Sequence, residues 1–138
     1  MKVKTTISYN AAKLASELPK IIEKYMQRYA RSAERGSKEN IDKGLKPKLQ
    51  DTTIIMREEA GITGTKPLYE TGNFYRSIKG TSEGLQMLAY GYKHQKGFKN
   101  PVKGWDPIPP RPFIGASKKE TLTAFNKFKK DMRRAFKK

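Results

Sequence analysis

From Leu14 the apolar residues recur as Leu14, Leu18, Ile21, Ile22, Tyr25, Met26, Tyr29, Ala30 and Ala33. This is the i, i+4, i+7, i+8 spacing of one helix face, held for about five turns. A chain with such a stripe organises itself around one long helix. Pro19 suits the first turn of a helix capped by Ser16, because that turn has no intrahelical amide bond to lose. The expected helix therefore runs from about 16 to Gly36, or on to Gly44 before Pro47 stops it. A second stripe, Leu122, Phe125, Phe128, Met132, Ala135 and Phe136, follows Ser117-Lys-Lys-Glu120, which has the form of a capping box. It predicts a C-terminal helix over 117–137.

Between the helices the signals are shorter. Val3, Thr5 and Ile7 alternate with polar residues and predict a strand over 2–8, while Ile54, Ile55 and Arg57–Ala60 suit a short helix around 50–60. Gly61, Gly64 and Pro67 mark a loop. Runs from Phe74 to Lys79 and from Leu85 to Tyr92, separated by Gly80–Gly84, read as a β-hairpin over 74–92. Residues 93–110, with their glycines, four prolines and four lysines, read as an exposed basic loop. At 138 residues the chain has the length of a single domain.

The net charge is +17, and the last 22 residues alone contribute +7. Such a chain attracts polyanions or acidic protein surfaces. It has no cysteine, which excludes disulfides, thiolate metal sites and cysteine nucleophiles, and its one histidine, His94, excludes a multi-histidine metal site. Glu58 and Glu59 form the only adjacent acidic pair, and helix neighbours diverge by about 100°, so they read as a solvated face rather than a catalytic dyad. The glycines form no phosphate loop. No apolar run suits a signal peptide or a bilayer span, so a soluble protein that stays where it is made is expected. Lys93, Lys96, Lys99 and Lys103, interleaved with Phe98 and Trp105, have the composition of single-strand binders. Lys127, Lys130, Arg133, Arg134 and Lys137 are candidate contacts to phosphate or to an acidic partner, on a helix whose apolar stripe docks on the core.

Three segments, in order, resemble one family. LYETGNFYRSI at 68–78 is similar to the L-x-x-T-G-x-L-x-x-S-I segment of phage virion morphogenesis and tail-completion (neck) proteins, through Leu68, Thr71, Gly72, Ser77 and Ile78. YGYKHQKGF at 90–98 resembles their Y-A-x-x-H-x-x-G segment through Tyr90, His94 and Gly97. IPPRPFIGAS at 108–117 resembles P-x-R-P-F-L-G-x-S through Arg111, Pro112, Phe113, Gly115 and Ser117. The stretch Pro47-Lys-Leu-x-x-Thr52 and Arg57 fit more loosely.

Several of the matched residues also have a physical reading. Gly72 can take positive φ where the chain turns into a strand, and Ser77 and Ile78 then point to opposite strand faces. Arg111, held extended between prolines, offers its donor fork to a carboxylate, one on a neighbouring subunit included. Phe113 anchors the last strand and Ser117 caps the final helix. None of these roles is catalytic, and no enzyme or cofactor is expected.

The resemblance implies an α+β fold, an antiparallel sheet of about four strands packed against the long N-terminal helix and the C-terminal helix. It implies a structural protein of the virion neck or head-proximal tail end, assembled from the host cytoplasm into a sixfold ring of identical subunits. The ring's partners are head-closure or connector proteins on one side and tail tube or tail terminator proteins on the other, with genomic DNA in the channel and no membrane. The loops at 61–67 and 93–110 are its candidate contact surfaces. The rival reading is a stand-alone basic nucleic-acid-binding module.

Overall fold

The computed structural model describes residues 11–137, so the strand expected over 2–8 lies outside the described residues. The chain is a mixed helix and sheet protein, with a long N-terminal helix α1 (Ala11–Lys43) and a C-terminal helix α5 (Lys118–Phe136). Between them come α2 (Asp51–Glu59), α3 (Asn73–Ser77), β1 (Lys79–Thr81), β2 (Gly84–Gln86) and α4 (Tyr90–Lys96). Among the described residues no helix is long and apolar enough to cross a membrane.

Helix α1 takes the longer of the two expected spans, and it starts earlier than Ser16. Ser16 is no cap: its hydroxyl donates to the Lys13 carbonyl at 2.9 Å inside the helix. Pro19 forfeits one amide bond in an exposed stretch, where water can meet the freed carbonyl, and the helix continues through it. Gly36 does not end the helix. It is buried because residues 115–117 cross directly over it, with the Ser117 nitrogen 2.8 Å from where a Cβ would stand.

The sheet is smaller than expected. Among the described residues it has two antiparallel strands rather than about four, pairing Lys79 with Gln86, Gly80 with Leu85 and Thr81 with Gly84. Both flanks of the expected 74–92 hairpin are helical. Phe74 and Ile78, four apart and both buried, are the reason on one side; on the other, Tyr90, His94 and Phe98 meet edge to face at the same spacing. Ser77 and Ile78 accordingly do not sit on opposite strand faces: Ser77 closes α3, its hydroxyl donating to the Phe74 carbonyl at 2.6 Å. The turn at Thr71-Gly72 does use positive φ, 84° at Gly72, but leads into a helix.

The hairpin lies against α1. Glu34 of α1 accepts from the Gly80 N–H at 2.8 Å and from Lys38 at 2.9 Å. Burial pushes the Glu34 carboxyl up, but the Gly80 N–H and the Lys38 ammonium outweigh it and hold the group below its ordinary value. The core gathers at the C-terminal end of α1, where Ile41 and Leu45 meet Phe74, Ile78 and Phe113.

Helix α5 runs antiparallel to α1, with Ser32 beside Thr121 at 3.0 Å and Tyr25 against Phe128 at 4.7 Å between ring centroids. Ser117 stands at the cap position in extended backbone, yet its side chain makes no capping bond. Glu120 pairs instead with Arg35, and the start of α5 is held by Ser32, whose hydroxyl donates to the Ser117 carbonyl at 3.2 Å.

Candidate functional site

The three segments singled out in the sequence converge on one place. Phe113 is fully buried and meets Phe74 edge-on, centroids 5.5 Å apart; Phe74 in turn meets Tyr90 at 5.1 Å. The Arg111 N–H donates to the His94 carbonyl at 2.9 Å, and Phe98 and Ile108 exchange two backbone bonds of 3.0 and 2.8 Å. The stretch after Phe98 is thus a closed loop, and the basic region 93–110 begins as helix α4. Gly97 ends that helix at positive φ, 76°. Gly115 lies under Asn40, and exposed Pro112 carries the chain past the core.

Phe113 was expected to anchor a last strand, but the backbone of residues 113–115 is met by side chains instead of a β-ladder. Gln95 of α4 accepts from the Phe113 and Ile114 N–H groups at 2.9 and 3.2 Å. From α1, Asn40 donates to the Phe113 carbonyl at 3.0 Å and Ser37 accepts from the Gly115 N–H at 3.2 Å. Gln95, Asn40 and Ser37 were missed in the sequence. Ser37 stands four residues before Ile41 and so on its buried face, the one signal available, whereas Asn40 and Gln95 sit in polar helix stretches and gave none.

Arg111 is buried, and its fork does not face a carboxylate. Its Nε donates to the Pro47 carbonyl at 2.6 Å and its Nη2 to the Lys48 carbonyl at 3.1 Å, so it clamps the segment after α1 within its own chain. Burial, and then the nearby Arg57 cation, lower its pKa. Arg57 acts alike, donating to the Gly64 and Lys66 carbonyls at 2.8 and 3.1 Å and tying down the 61–67 loop.

Above this cluster lies an open groove of about 740 Å³, with Phe74, Tyr90, His94 and Arg111 on its floor and Leu68 and Trp105 on its walls. Leu68 holds positive φ, 62°, a conformation that leucine rarely adopts. Trp105 is exposed. His94 Nδ1 is buried with no hydrogen-bond partner, which favours the neutral ring with that nitrogen unprotonated. Burial, and then the Arg111 cation, push the His94 pKa down. The Tyr90 hydroxyl is pushed up by burial and then by Glu70. Among the described residues no group of three or more histidines, aspartates or glutamates could hold a metal ion. The groove offers aromatic faces and peptide groups.

The candidate cations do not join this cluster. Lys93, Lys96, Lys99 and Lys103 are exposed around the loop, and Lys127, Lys130, Arg133, Arg134 and Lys137 are exposed on and just past α5. Among the described residues none of them has a carboxylate within ion-pair distance. Compared with known families, curated proteins and solved structures, the chain matches none.

Proposed function

We propose that this chain is a structural subunit of a tailed-phage neck or head-proximal tail end, or of a prophage-derived relative, which assembles into a ring joining head to tail. One observation carries the reading: the three segments that resemble the neck family, spread over 68–117, pack against one another as a single unit through Phe74, Tyr90, His94, Arg111 and Phe113. Their matched residues brace backbone and core, and the groove above them is open for a neighbouring subunit.

In this reading the ring forms by heterologous contacts between identical subunits, and the exposed cations of α5 dock on acidic surfaces of the proteins above or below. A channel that DNA must cross quickly is poorly served by tight phosphate binding, which favours a protein partner for that charge. The test is a joining assay with heads and tails of the particle that encodes the protein. The Arg133→Glu/Arg134→Glu variant should fold and fail to join them, and unimpaired joining sinks the docking role. The cations without carboxylate partners also support the second reading, a nucleic-acid-binding module. That reading requires the isolated monomer to bind DNA or RNA with a steep salt dependence.

A further inference from the structure

The two sides of the α1–α5 pair differ in kind. On one side Arg28 meets Asp131 at 3.3 Å and Arg35 meets Glu120. On the other, Ile22, Met26 and Tyr29 of α1 and Leu122 and Phe125 of α5 are between 42% and 60% exposed. Each set recurs at three- and four-residue spacing and so forms one stripe on its helix. Tyr29, Leu122 and Phe125 line a common shallow cleft that shares no residue with the groove around His94.

The cause is a rotation of α5. Its buried seam consists of Ala124 and Ala135 with half-buried Phe128 between them, small residues that bring the two helices close. At about 100° per residue, Phe125 stands roughly a quarter-turn from that seam and Leu122 more than a third of a turn, so both escape the α1 interface. Two bulky apolar stripes thus lie side by side, and among the described residues nothing covers them. An exposed apolar face of this kind marks an interaction surface.

The charges around it specify the occupant. The α1 stripe is uncharged from Leu18 to Ala33, while α5 borders it with cations, among them Lys129, whose Nζ lies 5.0 Å over the Phe125 ring, and Arg133. The acids of α5, Glu120 and Asp131, are both drawn to the opposite side by Arg35 and Arg28. A second copy of a +17 chain would meet this border with like charge, and the ten residues before α1 carry two lysines and no acid.

We infer that the apolar side of the α1–α5 pair is a docking groove for one amphipathic helix of a partner protein, with its apolar stripe between Tyr29 and Leu122 and its acidic edge against Lys129 and Arg133. The inference does not rest on the neck reading. It is tested with a fluorescent helical peptide that carries leucine along one face and glutamate along its edges, titrated into the full chain at physiological salt. A twin peptide with lysine edges is the control.

The acidic peptide should bind at least about tenfold more tightly than its twin, and Leu122→Ser should weaken it by about tenfold or more. Leu122 is 60% exposed, so this variant keeps its fold, which an unchanged thermal melt verifies. Lys129→Glu/Arg133→Glu should reverse the preference between peptides. No binding, equal binding of both peptides, or indifference to Leu122→Ser overturns the inference. So does binding that appears only once residues 1–10 are removed, which gives the groove to the chain's own N-terminus. A dimer that Leu122→Ser dissolves overturns it too, in favour of a second copy.

Discussion

Replacing Arg111 with leucine separates a clamp inside the subunit from a contact between subunits. The guanidinium makes two charge-assisted bonds, to Pro47 O at 2.6 Å and Lys48 O at 3.1 Å. Hydrogen bonds to charged groups contribute about 1.5–3 kcal/mol each, so the pair is worth about 3–6 kcal/mol. Leucine also relieves the desolvation of a buried cation that has no carboxylate partner among the described residues, which offsets part of that loss. A net destabilisation of about 2–3 kcal/mol remains. For a domain of this size each kcal/mol moves Tm by about 3–5 °C, so the expected drop is about 6–15 °C. Arg111→Lys should recover less than half of it, because one ammonium cannot span two carbonyls with a rigid fork. The assay is thermal and urea unfolding followed by circular dichroism. If Arg111→Leu melts like the unaltered protein yet fails to assemble, the residue belongs to a subunit interface and the clamp is refuted.

Further outcomes follow from the same contacts. Gly36→Ala should lower the unfolding free energy from a urea titration by about 1–3 kcal/mol, since its Cβ would strike the backbone of residues 115–117; a gain of stability, as expected for an exposed helical glycine, would contradict the crossing. Phe113→Ala, at a fully buried position between Phe74 and the end of α1, should cost about 3–5 kcal/mol in the same titration. Because burial holds His94 below the ordinary 6.5, the unfolded chain takes up that proton first. Stability is then full above about pH 6.5 and falls as pH drops from there through the lower folded value. His94→Phe should flatten that slope, which His94 alone supplies as the one histidine; an unchanged slope contradicts its burial. Glu34 acts in a lower window: its stabilisation is present above 4.5 and is lost as pH falls through its depressed folded value, and Glu34→Gln should remove this loss from an acid titration of stability.

The two long helices were legible because their stripes run for many turns. Ends were not, since they depend on partners outside the helix: Gly36 reads as a breaker until residues 115–117 cross it, and Ser117 reads as a capping box until Arg35 takes Glu120. The short elements defeated a period-2 reading because Phe74 and Ile78 satisfy a four-residue spacing equally well. The strand expected around Phe113 does not form, because the backbone hydrogen bonds of residues 113–115 go to Gln95, Asn40 and Ser37, choices that only the tertiary arrangement makes. The residues of the candidate site were found through their resemblance, whereas their convergence, and the inward turn of Arg111, were not written in their spacing. The amphipathicity of α5 was legible, but not the rotation that leaves Leu122 and Phe125 outside the seam.

The most direct test of the assembly reading is the mass and shape of the purified protein over a concentration and salt series, by light scattering with negative-stain imaging. The account predicts ring-sized oligomers that persist at moderate salt. A monomer at every concentration that retards labelled DNA at physiological salt would contradict it.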